Sequence, residues 1–173
     1  MATTTTLTLE QMEELLRLHE EAEFNLDLDA TMATLVENPV YELPSLNLYI
    51  EGRDAVEELY RRMLHGGDVR NFWADKRTHA VSSSSLIREA WVYFDTDDGV
   101  RVTGCYNTVM DFEGDKIAGE RMFMDAIYTK TMASVLGPDF GDVPGVFPLD
   151  QKQPPPVPRI DDRAAAHAAN SNH

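Results

Sequence analysis

Apolar residues recur at Met12, Leu15, Leu16, Ala22 and Leu26, the spacing of a helix that lays one face on a core. Thr8 followed by Gln11 forms a capping box that opens this helix, which is expected to run to about Asn25. His19 and Glu23 fall on the same stripe, one helical turn apart and therefore neighbours on the buried face. A second helix is expected from Asp29, as its N-cap, to about Glu37, with Pro39 ending it. Val40-Tyr41-Glu42-Leu43 alternates and predicts a short strand stopped by Pro44. Glu51-Gly52-Arg53-Asp54 is a turn, and Asp54 caps a third helix that buries Val56, Leu59, Tyr60 and Met63. His65-Gly66-Gly67-Asp68 ends that helix.

The period then changes to two. Thr78 to Ser85 reads as a strand, or as a polar loop or edge where the serines run. Leu86 to Phe94 is a strand, Thr96 to Gly99 a hairpin turn, Val100 to Phe112 a long strand, and Glu113-Gly114-Asp115 a second turn. Lys116 to Tyr128 is the last strand, and a short helix from Thr129 to about Leu136 follows. Helices first and an antiparallel meander afterwards make an α+β domain over residues 9–136, preceded by a leader of residues 1–8. Prolines and glycines mark residues 137–150 as an extension, and residues 151–173 read as a flexible tail.

Charge narrows the partners. With 30 acidic against 15 basic residues, the net charge of -15 disfavours nucleic acid and anionic membrane surfaces. The single cysteine, Cys105, excludes an intrachain disulfide and suits a reducing compartment. The N-terminal residues show no basic region before an apolar one, and no stretch approaches a membrane span, so a cytoplasmic protein is expected. No glycine-rich phosphate loop is present and the histidines show no ligand spacing, so neither a cofactor nor a metal is expected.

Asp27-Leu28-Asp29, Tyr41-Glu42-Leu43-Pro44, Glu51-Gly52-Arg53-Asp54-Ala55-Val56 and Glu113-Gly114-Asp115-Lys116-Ile117, in this order and spacing, resemble the nuclear-transport-factor-2-like superfamily. Its members include ketosteroid isomerases, limonene epoxide hydrolase and SnoaL-like polyketide cyclases. The resemblance covers roughly residues 9–136. It implies a cone-shaped curved antiparallel sheet closed by three N-terminal helices around an apolar pocket, with His19 and Glu23 facing that pocket. Laid on the ketosteroid isomerases, His19 falls where that family has an oxyanion-stabilising tyrosine, and Leu43 where it has its general-base aspartate. Laid on limonene epoxide hydrolase, Tyr41 matches a tyrosine that holds the attacking water and Arg88 matches the catalytic arginine. Ala90 and Met122 replace its two aspartates, which implies that this route of water activation is lost.

Strand parity supplies the remaining candidates. Leu86, Arg88, Ala90, Val92 and Phe94 share one face of their strand; Tyr106, Thr108, Met110 and Phe112 share one face of the next. On the last strand either face fits the alternation, and the resemblance selects the one with Glu120, Met122 and Met124. His19 is then a proton carrier near neutral pH, oriented by Glu23, with Tyr41 beside them as the third catalytic candidate. Arg88, Tyr106, Glu120, Met122 and Met124 are the substrate-binding candidates, with Tyr41, Tyr106 or Arg88 able to stabilise an oxyanion. Each has a structural alternative. Arg88 and Glu120 form a buried ion pair between strands, the tyrosines are core aromatics with satisfied hydroxyls, and the methionines fill an irregular core. Trp91 and Tyr93, on the opposite face, predict a homodimer surface. The function expected is a cofactor-independent lyase, isomerase or cyclase acting on a hydrophobic carbonyl compound such as a polyketide, terpenoid or steroid. The alternatives are a non-catalytic binding or dimerisation module of the same fold, or a hydrolase with His19 activating water.

Overall fold

The computed structural model describes residues 7–65, 70–96 and 98–153. The capping box forms: the Thr8 N–H donates to Gln11 Oε1 at 2.8 Å and the Gln11 N–H to Thr8 Oγ1 at 3.3 Å. It opens α1 (Leu9–Phe24), which buries Met12, Leu16, His19 and Ala22 at helical spacing. The second helix is shorter than expected and starts earlier. Asp27, not Asp29, is its N-cap, accepting from the Ala30 N–H at 2.9 Å, and α2 spans only Leu28–Ala33. Residues 35–38 join a strand instead, because Pro39 disfavours helical geometry at the residue before it and a partner strand is available far along the chain.

That strand, β1 (Leu35–Leu43), lies between β2 (Leu48–Glu51) and β6 (Lys116–Met124). It runs antiparallel to β2 and parallel to β6. The β1–β6 register shifts between Leu35 and Val40, where Pro39 has no N–H to offer a ladder. Next to the shift, Gly119 of β6 passes β1 so closely that a Cβ there would lie 1.8 Å from the Val40 carbonyl oxygen.

α3 (Arg53–His65) buries Val56, Leu59 and Tyr60, with Asp54 in its first turn rather than at its cap. Residues 66–69, where the sequence predicts the end of this helix, and Asp97 of the predicted hairpin turn lie outside the described residues. β3 (Arg70–Val81), β4 (Ser85–Asp95) and β5 (Arg101–Glu113) then complete a meander with β6, and the sheet order is β3-β4-β5-β6-β1-β2-β7. The sheet is curved and unclosed. The antiparallel sheet expected from the sequence therefore carries one parallel joint, β1 with β6. β3 begins at Arg70 rather than Thr78, and Ser82–Ser84 form the turn after it, with Ser82 Oγ accepting from the Ser85 N–H at 3.0 Å.

β6 stops at Met124, four residues before the expected end at Tyr128. Asp125 turns the chain there: one carboxylate oxygen accepts from the Tyr128 N–H at 2.7 Å and the other from the Cys105 N–H at 3.0 Å. It thereby caps α4 (Ala126–Leu136) and ties it to β5.

The extension is ordered and docked. Phe140 is buried, Arg62 pairs with Asp139 at 2.9 Å, and β7 (Val146–Pro148) adds an antiparallel strand to β2. α5 (Leu149–Lys152) follows, and Lys152 Nζ reaches Glu51 at 2.7 Å. Residues 151 and 152 thus belong to the fold and not to the expected tail. The rest of that tail, residues 154–173, and residues 1–6 lie outside the described residues. Among the described residues no helix is long and apolar enough to cross a membrane.

Candidate active site

A cavity of about 950 Å³ lies between the inner face of the sheet and helices α1, α3 and α4. Arg88, Ala90 and Phe94 of β4, Tyr106, Thr108 and Met110 of β5, and Glu120 and Met122 of β6 form its floor. Alternate residues of each strand reach it, as the strand period requires. Glu20, Glu23 and Phe24 of α1 and Tyr128 and Met132 of α4 form its walls.

The structure divides the residues predicted from sequence. Glu23, Arg88, Tyr106, Glu120 and Met122 line the cavity; His19, Tyr41 and Met124 do not. His19 is 0 % exposed and sits behind the wall. Its Nδ1 lies 2.7 Å from Thr34 Oγ1, and its Nε2 lies 2.9 Å from the Tyr60 hydroxyl, itself 2.8 Å from the Tyr41 hydroxyl. Thr34 Oγ1 donates its own proton to the Thr31 carbonyl at 2.6 Å, so it accepts from His19, and the proton of neutral His19 sits on Nδ1. Tyr60 then donates to Nε2, and Tyr41 donates to Tyr60. The expectation that His19 faces the substrate space is corrected. A histidine on the buried stripe of α1 meets α3, because Tyr60 projects into the same layer.

Glu23, which lines the cavity, reaches this buried chain directly. Its carboxylate is 3.4 Å from His19 Nε2 and partly exposed. Burial alone would hold the imidazole neutral; the Glu23 and Glu120 carboxylates outweigh it and raise His19 above its ordinary value. The ring therefore has two partners for Nε2: the Tyr60 hydroxyl when neutral, and Glu23 when protonated.

Arg88 is 8 % exposed and does not pair with Glu120 across the strands, as the structural alternative had it. Its guanidinium reaches Glu20 of α1, and its Nε is buried without a hydrogen-bond partner. Burial pulls it down from its usual value, with nearby Tyr106, Glu13 and Glu120 acting the other way. Glu20 was missed because it stands on α1 beside the apolar stripe. An inward arginine on β4 requires a counter-charge, and α1 is the element that covers it.

Glu120 is 6 % exposed, and one of its oxygens accepts from the Thr108 hydroxyl. Burial raises its carboxyl to about 7, helped by the Glu23 charge and opposed by Thr108, His19 and Arg88. It is therefore divided between acid and carboxylate near neutral pH, the condition for a general acid or base. Tyr106 and Tyr128 line the cavity too, and burial raises both phenols, which stay protonated donors. Among the described residues neither phenol donates to a protein group, and no cluster of His, Cys, Asp and Glu is placed to hold a metal ion.

No protein-family model and no curated protein sequence matches the chain. Solved structures do. An epoxide hydrolase of Mycobacterium tuberculosis resembling limonene epoxide hydrolase superposes with a TM-score of 0.58 at 19% identity, covering 73% of this chain and 93% of its own. An NTF2-like protein of unknown function from Burkholderia pseudomallei gives 0.60 at 16% identity, covering 71% and 98%. SalBIII, an epoxide hydrolase/cyclase-like enzyme in pyran ring formation of the polyether salinomycin, gives 0.58 at 16% identity, covering 68% and 92%. The chain has the nuclear-transport-factor-2-like fold, and its neighbours include hydrolase- and cyclase-like enzymes as well as proteins of unknown function.

Proposed function

We propose that the protein is a cofactor-independent acid–base catalyst, of the lyase, isomerase or cyclase type, acting on a hydrophobic carbonyl compound such as a polyketide, terpenoid or steroid. The observation that carries this reading is Glu120: a buried carboxyl raised to about 7 on the floor of an otherwise largely apolar cavity. In its ionised form it removes the proton next to the carbonyl. The C–H bond breaks, and its electron pair moves to the carbonyl oxygen as an enolate. The Tyr106 hydroxyl and the Arg88 guanidinium supply positive hydrogen-bonding density to that oxygen. Protonated Glu120 then returns the proton, to the same carbon or to a conjugated one. His19 and Tyr41 act through Glu23 as positioning residues and do not touch the substrate.

Proton exchange tests the reading without knowledge of the natural product. Protein is incubated in deuterated water with a panel of polyketide, terpenoid and steroid ketones, and deuterium uptake next to the carbonyl is read by mass spectrometry. Uptake above the buffer rate is expected for at least one class. Buffer-level exchange throughout would sink the enzyme reading and favour a binding module, which the apolar residues Leu43, Ala90 and Met122 already support.

The same proposal includes a homodimer through the outer face of the sheet. Ile87, Trp91 and Phe123 are exposed there on β4 and β6, with Arg77 stacked 4.5 Å from the Trp91 ring. Sedimentation equilibrium at micromolar concentration is expected to give twice the chain mass, and Trp91→Asp to shift it to monomer. A monomeric wild type would contradict the assignment.

A further inference from the structure

The aromatic residues of the cavity form one cluster. Tyr128 lies at its hub, with ring centroids 5.9 Å from Tyr106, 6.4 Å from Phe72 and 6.5 Å from Phe94. Phe24 extends it, 6.2 Å from Phe72. All five rings line the cavity. Glu23 precedes Phe24 at the end of α1 and lines the same space, and of the charges around Tyr128 its own acts most strongly. Glu120, more than nine-tenths buried, lines the cavity with one oxygen taken by Thr108 and, among the described residues, no protein partner for the other.

The basic side chains of the lining do not balance these two carboxylates. Arg88 is committed to Glu20, Arg17 to Glu14 and Glu21, and Lys76 is solvent-exposed. Glu23 is partly exposed and has His19 behind it, whereas a carboxylate at Glu120, buried beside apolar rings, is costly unless a counter-charge arrives. The faces of those rings carry negative density that attracts a cation. A ligand bearing a carboxylate or phosphate would meet Glu23 and Glu120, with Arg88 already paired to Glu20 and solvent-exposed Lys76 as the cations left to receive it.

We infer that the ligand of this cavity is an apolar organic cation, whose amine or quaternary ammonium group sits between Glu23 and the rings centred on Tyr128. Its apolar body extends over Met110 and Met122, which brings its reacting carbons to Glu120. The inference names the substrate class for the acid–base reading and rests on it for the chemistry, though not for the binding. Glu23 then has two roles, holding the cation and orienting His19, while Glu120 remains free for proton transfer.

Calorimetric titration of the full chain with a matched pair tests it: (4-hydroxymethylbenzyl)trimethylammonium and its uncharged carbon isostere, 4-neopentylbenzyl alcohol. The cation is expected to bind about tenfold or more tightly than the isostere, the ratio that corresponds to one cation–ring and carboxylate contact. Glu23→Gln and Phe72→Leu are each expected to cut that preference about threefold or more. Phe72 is 40 % exposed, so its replacement leaves the fold in place. Equal or weaker binding of the cation, or an undiminished preference in both variants, overturns the inference. If the isostere binds as well and neutral ketones undergo Glu120-dependent exchange, only the cation inference falls. If the cation preference holds and neither neutral ketones nor ketones bearing a quaternary ammonium group exchange, the binding inference stands and the catalytic reading falls.

Discussion

Glu120→Gln is expected to lower proton-exchange turnover by about 100-fold or more, the usual loss when a general base is removed, and to make the protein more stable at pH 8. Gln keeps the shape and still accepts from Thr108, so the cavity survives. What it removes is the group that titrates. The folded protein holds the Glu120 carboxyl at about 7, against an ordinary value of 4.5 in the unfolded chain. Between these values the folded state binds a proton that the unfolded state has released. The stabilisation is complete below about pH 4.5 and is lost as pH rises through about 7. His19, raised above its ordinary 6.5 chiefly by Glu23 and Glu120 against its burial, adds to the same trend. Carboxylates held low by basic or hydroxyl partners, such as Asp95 with Arg101 and Asp139 with Arg62, act oppositely at more acid pH. Thermal melts of the wild type should therefore peak near about pH 5 and fall toward pH 8. In Glu120→Gln the slope between pH 5 and 8 should flatten. Unchanged slopes, or exchange at the wild-type rate, would remove Glu120 from the role assigned to it.

The second large effect has no direct part in the chemistry. Gly119→Ala should cost about 3 kcal/mol or more, a fall in Tm of roughly 10 °C for a domain of this size, or leave no folded protein. The added Cβ would stand 1.8 Å from the Val40 carbonyl oxygen. That atom is backbone and belongs to the only parallel joint of the described sheet, so no side chain can swing aside. β1 and β6 would separate, and with them the pairing of Tyr41 with Glu120. Gly141→Ala is the control. A Cβ there meets nothing within 4 Å, so its melting temperature should stay within about 2 °C of wild type. Equal melting temperatures for both variants would show that the joint yields.

What the sequence made legible follows the reach of its signals. Thr8 and Gln11 placed the start of α1 because capping is local. The inward sets on β4 and β5, Arg88 and Tyr106 among them, were legible because one face of each strand is apolar and the period is two. β3 was mostly missed because it is an edge strand, with Asp75, Lys76 and Arg77 exposed along it, so burial imposed no alternation. β2 is four residues long between a 3-10 turn and a helix, too short for any period to appear. The site itself depended on distant pairings. His19 on the apolar stripe was recognisably buried, but Tyr60 lies 41 residues away, and nothing local tells whether the ring meets the cavity or its back wall. Glu120 was visible as a polar residue on an apolar face. That Thr108 and not Arg88 would be its partner depends on Glu20 reaching across from α1.

The order in which the sheet is wired has a consequence for how the protein comes into being. β1 ends at Leu43, yet its partner β6 begins at Lys116, about 70 residues and so roughly 4–14 s of ribosomal synthesis later. β7, which covers the far side of β2, comes later still. Until then the nascent chain carries a hairpin of β1 and β2 with both edges open and Tyr41, Leu43 and Ile50 uncovered. Its earliest strands wait for its latest ones, so the open edge of β1 is available to neighbouring chains over about 70 residues of translation.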